Sequence, residues 1–249
     1  MDTVEATPAM AQRIYERMAD RLDDVRKRLQ SPLTLGEKLL LGHLDAAPTQ
    51  ELEPGRSYLR LRADRVVLQD VLGQSAFLQF MQTGRERVAL PVSVHCDHLI
   101  RAHAGAKGDL ETSFGENEEV YAFLRSAAQR YGAGFWAPGA GIIHQVVLEQ
   151  YAFPGQLILG TDSHTPNAGG LGACAIGVGG AEAVEAMAGM AIEVLYPRRI
   201  AVYLTGGLGG WTAPKDVVLH VLGQMTVGGG TNGIVEDIDD RGALVVRAT

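Results

Sequence analysis

The chain has 249 residues, 46% of them hydrophobic, with 22 Lys plus Arg against 29 Asp plus Glu for a net charge of −7. That is ample apolar material for one large domain or two small ones, and the acidic balance argues against nucleic acid or a membrane surface as partner. Two cysteines, Cys96 and Cys174, exclude a secreted disulfide framework, and no apolar run approaches the ~20 residues that span a bilayer. The start, MDTVEATPAM, lacks the basic and apolar regions of a signal peptide and is acidic, unlike a transit peptide. The expectation is a soluble cytoplasmic protein, the alternative being a mitochondrial matrix protein whose transit peptide has been removed.

Residues 8–30 space Ile14, Met18, Leu22, Val25 and Leu29 by three and four, which predicts an amphipathic helix with its charges in solvent. Ser31-Pro32 stops it, and Thr34 with Glu37 three residues on predicts a capping box for a short helix over 36–44. Residues 1–60 therefore read as a helical arm and linker ahead of an α/β domain over 61–249. RVVLQD (65–70) is the first buried strand, ending at Gln69. The next segment, 71–84, spreads Leu72, Ala76, Phe77, Phe80 and Met81 as a helix would, and Thr83-Gly84 ends it.

VALPVSVHCDH (88–98) predicts another strand that runs out in polar residues. Residues 103–117, polar and glycine-bearing, predict a loop, with Asn117 capping a helix over 118–132. Gly134 to Trp136 reads as a strand, PGAG as a turn and Ile142 to Tyr151 as a helix with His144 near its start. Leu157 to Leu159 is a short buried strand that breaks into Thr161, Asp162, Ser163 and His164 and then a glycine-rich run. Residues 179–194 predict one helix, 198–206 a strand, and 213–225 a helix with Pro214 in its first turn. GALVVRAT (242–249) reads as an unfinished strand. This alternation predicts an α/β fold, a mostly parallel sheet with helices on both faces.

In such sheets ligands bind at the C-terminal mouth of the strands. Three strand ends supply polar groups there: Gln69; Asp97 and His98; Asp162, Ser163 and His164. One Asp-His pair at a strand exit is ordinary, whereas two pairs plus His144 at a helix start form a constellation for proton transfer, because a carboxylate fixes the tautomer of a neighbouring imidazole and stabilises its cation. Asp162-Ser163-His164 is no hydrolytic triad, since contiguous residues do not face one another and no G-x-S-x-G elbow is present. His95-Cys96-Asp97-His98 lacks a second ligand pair at zinc spacing, and Cys174 sits in an apolar glycine run, so no metal ligands are assigned. Gly170 to Ala175 fits G-x-G-x-x-A loosely, but about ten residues too late for a dinucleotide fingerprint.

The stretches PLTLGEKLLLGHLD, YLRLRADRVVLQD, VHCDHLI, YGAGFWAPGAGIIHQ, GTDSHTPNAGGLG, GVGGAEAVEAMAG and GWTAPKDVVL together resemble the N-terminal part of the aconitases, the four-iron, four-sulfur isomerases of citrate and isocitrate. The resemblance implies that Gln69, Asp162, Ser163 and His164 contact substrate. It implies that Asp97 and His98 form a pair assisting proton transfer to the departing hydroxyl, that His144 pairs with Asp162, and that a glutamate in later sequence partners His164. The family's cluster cysteines, base serine and clamping arginines match nothing in this chain. The expectation is a truncated aconitase-type hydro-lyase, inactive alone, whose partners are citrate, cis-aconitate and isocitrate together with the missing cluster-bearing portion. A non-catalytic derivative that binds a polycarboxylate or a protein is the alternative.

Overall fold

The chain folds as an α/β structure, seen here in a computed structural model whose described residues are 4–229, 233–237 and 246–248. It opens with α1 (Pro8–Leu29), which Thr7 caps by accepting the Met10 N–H. Met10, Ile14, Met18, Leu22 and Val25 of α1 are buried in the main core, each such side chain contributing on the order of 1.5–3 kcal/mol of transfer free energy. Thr34 and Glu37 form the capping box of α2 (Leu35–Leu41) as the spacing predicts. Then follow β1 (Tyr58–Leu61), β2 (Arg65–Gln69), α3 (Asp70–Gln82) and β3 (Val92–His95).

The middle of the chain supplies α4 (Ala106–Glu116), α5 (Glu118–Tyr131), β4 (Gly134–Trp136), α6 (Ile143–Gln150) and β5 (Leu157–Gly160). A 3-10 helical segment, Thr165–Leu171, leads into β6 (Cys174–Gly177), α7 (Gly180–Met187) and β7 (Ile192–Leu195). Last come β8 (Arg198–Val202), α8 (Pro214–Gly229), β9 (Gly233–Asp237) and β10 (Val246–Ala248). The expected C-terminal strand over 242–249 is thus seen at Val246–Ala248, and 242–245 and 249 lie outside the described residues.

The central sheet is five-stranded and wholly parallel, in the order β4-β3-β2-β5-β6. Period-two alternation divides its side chains between two faces. Val66, Leu68, Val92, Val94, Leu157, Leu159 and Ile176 join the main core with α3, α5 and α7. Val67, Ile158 and Ala175 meet Ile143 and Val147 of α6 on the other side. Both faces are covered, which is why the strands carry few polar residues before their ends. Outside this sheet, β1 pairs antiparallel with β7, and β10-β9-β8 form a mixed three-stranded sheet.

Three local expectations are overturned. Residues 103–117 are not a loop, because α4 occupies most of them. Gly108 and Gly115 have nothing within 4 Å of a would-be Cβ, so they weaken the helix only through propensity, while the Asp109 carboxylate accepts the N–H groups of His103, Ala104 and Gly105 at 2.9 Å each and anchors the entry. Asn117 does precede α5, yet its amide donates to Ser113 O of α4 at 3.2 Å and caps nothing. Residues 179–194 are not one helix either. The helix ends at Met187, Gly189 turns the chain at φ +80°, and Ile192 and Val194 alternate with exposed Glu193 as the strand pairing with β1. The glycine run also contains β6, a strand absent from the predicted elements. Leu72 and Met81 lie at the exposed edge of α3, and Gly73 takes the inward position against Val94.

Candidate active site

The chain runs outward from β2 through β3 to β4, then returns to place β5 on the other side of β2. Successive connections therefore leave in opposite directions at the β2–β5 boundary, and a crevice opens beyond the carboxyl ends of these strands. Gln69 and Asp70 end β2, Cys96 to His98 follow β3, and Thr161 to His164 follow β5. Thr161 stitches the boundary, its Oγ1 accepting the Gln69 N–H at 3.1 Å and its own N–H reaching Val67 O at 3.0 Å.

His98 is the centre of the constellation. Its Nδ1 donates to Asp97 Oδ1 at 2.9 Å and its Nε2 to Asp162 Oδ2 at 2.8 Å, so one imidazole joins the exits of β3 and β5. Burial alone would depress its pKa, but the hydrogen bonds and charges of Asp97 and Asp162 outweigh burial and hold it above the ordinary 6.5. The doubly protonated ring is the form that donates from both nitrogens. Asp97 is fixed on its other oxygen by the Ile143 N–H at 2.8 Å, in the first turn of α6.

Asp70, which the sequence reading did not select, holds this assembly from behind. Its carboxylate is fully buried and accepts the His98 and Leu99 N–H groups at 3.2 Å each, and burial, the largest influence, raises its pKa. The sequence signal was available: a carboxylate directly after a buried strand must find donors, and the N–H groups beyond the neighbouring strand are the nearest.

Asp162 draws in the remaining histidines. The His164 N–H donates to its Oδ1 at 2.8 Å, while the ring nitrogens His164 Nδ1 and His144 Nδ1 stand 3.6 and 3.9 Å from that oxygen. The His144–Asp162 approach is thus electrostatic, and the histidine hydrogen-bonded to Asp162 through its ring is His98. The His144 and His164 rings stack at 4.9 Å with 24° between their planes. Burial and the neighbouring His164 lower the pKa of His144, and its Nδ1 is buried without a hydrogen-bond partner. Ser163 Oγ lies 3.2 Å from His164 Nδ1. Gln69 uses its side-chain oxygen to cap α3, accepting from the Val71 N–H and from Leu72 N at 3.1 Å.

Thr161, Asp162 and Ser163 form one side of an open concavity of about 530 Å³ whose lining also includes Gly179, Glu182 and Glu193 and, among the described residues, no Lys or Arg. The cysteines do not serve this site. Cys96 is buried at the end of β3 and its thiol is pushed up to about 12, chiefly by burial, while Cys174 begins β6 at the opposite edge of a parallel sheet. Among the described residues no cysteine set can hold an iron–sulfur cluster here. No helix of the described residues is long and apolar enough to cross a membrane.

Residues 37–238 match the family model described as "Aconitase family (aconitate hydratase)". The chain is 59% identical over 222 residues to "Aconitate hydratase, mitochondrial" of Schizosaccharomyces pombe, covering 89% of this chain and 28% of that protein. It is 57% identical over 226 residues to the protein of the same name from Saccharomyces cerevisiae, covering 91% and 29%. Against "Probable aconitate hydratase, mitochondrial" of Caenorhabditis elegans identity is 54% over 222 residues, covering 89% and 29%. The chain thus spans under a third of the length of these relatives.

Proposed function

This chain belongs to the aconitase family, and we propose that it supplies one wall of the active site of a hydro-lyase interconverting citrate and isocitrate through cis-aconitate. The observation that carries the reading is the Asp97–His98–Asp162 bridge at the mouth of the sheet. A β-hydroxy acid loses water when a proton reaches the departing hydroxyl as the carbon-bound proton is removed. His98, whose charged form two carboxylates favour, delivers the first of these protons in this reading when the substrate hydroxyl takes the place of Asp162 at its Nε2. Asp97, pinned by the Ile143 N–H, and Asp70, pinning the His98 backbone, keep the ring oriented while its charge changes. Gln69, Ser163 and His164 line the mouth where substrate oxygens would sit, with His144 stacked behind His164.

A four-iron, four-sulfur cluster supplies the Lewis acid that draws off hydroxide in this family. Cys96 and Cys174 do not fit it, so its ligands belong to other sequence. The charge of this wall points the same way. Asp70, Asp97 and Asp162 make this wall acidic, and the adjoining concavity adds Glu182 and Glu193 with no Lys or Arg among the described residues that line it. The cations that bind carboxylates, and the base for the carbon-bound proton, come from a partner portion of the protein. In this reading residues 1–60 act as an arm and 61–249 as the α/β domain. The relatives are named mitochondrial, which favours a mitochondrial over a cytoplasmic location.

The test is co-expression with the cluster-bearing remainder of a close relative, followed by iron analysis and an assay of cis-aconitate formation. The pair should be active and this chain alone should not. His98→Gln in the pair should lower kcat by roughly 10²–10⁴-fold, the range of a positioned acid. Iron-free turnover by the chain alone, or full activity of the His98→Gln pair, would sink the reading.

A further inference from the structure

We propose that His144, Asp162 and His164 form a mononuclear site for a divalent first-row transition cation, with zinc as its probe. One ring nitrogen from each of His144 and His164 and one Asp162 oxygen lie within 4.8 Å of one another. This is the donor set of an open zinc site, three protein ligands with a fourth position left to water. Bonds of about 2.0–2.1 Å in tetrahedral array space their donor atoms about 3.3 Å apart. The observed 3.6 and 3.9 Å from Asp162 Oδ1 to the two Nδ1 atoms are a few tenths wider. Small side-chain rotations close that gap.

The state of each donor suits an ion. His144 Nδ1 is buried without a hydrogen-bond partner, and a bound ion would satisfy it. Asp162 Oδ1 takes only one hydrogen bond, from the His164 N–H, and retains a lone pair. His98 on Oδ2 and the Thr165 N–H and hydroxyl on the Asp162 carbonyl hold that residue in place, the supporting shell that orients a metal-bound carboxylate. Asp162 also lines the concavity that holds Glu182 and Glu193, whose charges add negative field near the set. Magnesium and calcium, which require oxygen-rich shells, are poorly served by two imidazoles. Local spacing could not show this set, because it joins the exit of β5 to the first turn of α6.

The site needs neither cluster nor substrate, so it stands or fails apart from the function proposed above. Titrating this chain with Co²⁺ should give visible d–d absorption saturating at one equivalent, and Zn²⁺ should abolish it. His164→Ala and His144→Ala should each weaken binding by roughly tenfold or more, whereas His220→Ala, on the exposed face of α8, should bind as wild type. Matching thermal melts establish that the variants are folded. Absence of a saturable one-equivalent band, wild-type affinity in folded His164→Ala, or equal displacement by Mg²⁺ overturns the proposal.

Discussion

Gly160, the last residue of β5, is where a single methyl group would most disturb the site. A Cβ there would stand 2.0 Å from Thr165 Oγ1, 2.7 Å from its Cγ2 and 2.9 Å from its Cβ. Ordinary heavy-atom contacts lie at about 3.5–4.0 Å, so Thr165 would have to withdraw on the order of 1.5 Å. It has nowhere cheap to go. Thr165 is buried, and its hydroxyl donates to Asp162 O at 2.7 Å, closing the turn that carries Asp162 to His164. Losing that bond costs about 1–3 kcal/mol and overpacking about 1–3 more, for a total of roughly 2–6 kcal/mol. At about 2–4 °C per kcal/mol for a chain of this size, Gly160→Ala should melt roughly 5–20 °C below wild type by calorimetry. Adding Thr165→Ala removes two of the three close atoms, so the double variant should recover part of the loss. A Gly160→Ala melt within about a degree of wild type, or strict additivity in the double variant, would refute the steric account.

The pH dependence of stability should reflect two groups of opposite sign. His98 has a raised folded pKa, so its contribution is fully present below its ordinary 6.5 and is lost as pH rises through the folded value; His98→Gln should flatten the alkaline limb of a melting-temperature profile. Asp64 is the reverse case. Burial raises its pKa, but the charges of His43 and Arg17 and the hydrogen bonds from His43 Nε2 and Leu157 N, both at 2.8 Å, bring it below 3.8. Its stabilisation is present above that value and lost as pH falls through the folded pKa, and Asp64→Ala, which strands His43 and Arg17, should cost about 3–5 kcal/mol by denaturant titration at neutral pH. Neither thiol should react with a chromogenic disulfide while the chain is native, both being buried; a fast native reaction would show Cys96 to be exposed.

What was legible in the sequence was whatever local physics controls. The 3-4 spacing from Ile14 to Leu29, the Thr34–Glu37 box and the apolar run ending at Gln69 each specify their own geometry within a few residues, and each is present. The failures lie where the deciding partner is distant. Residues 192–195 form a strand because β1, more than 130 residues earlier, offers an edge, and residues 106–116 form a helix because the Asp109 carboxylate holds the chain entering it. In β6 only Ile176 is β-branched, beside Cys174, Ala175 and Gly177, so the local signal is weak and the strand is stabilised by β5 alongside. At the site, the residue types were readable but the wiring was not. The sequence suggests Asp97 beside His98, whereas the second bond of His98, to Asp162, follows from a strand order that periodicity cannot reveal.

That wiring has a consequence for how the charges balance. His98 bridges two carboxylates, and behind it Asp70 is kept from solvent with its charge disfavoured by burial. A proton passed from His98 to a leaving group, with Asp162 displaced from Nε2, would leave Asp97 and Asp162 beside a neutral ring, with His144 biased toward neutrality by burial and by His164. Such a state is costly unless positive charge is brought to the open side of the wall. A bound cation at the histidine–Asp162 set would supply it but would occupy the donors themselves, whereas cationic groups from a partner would supply it and leave His98 free to recover its proton. If both proposals hold, the same negative wall would take metal ions in the isolated chain and carboxylates in an assembled protein, with the source of the compensating charge deciding between them.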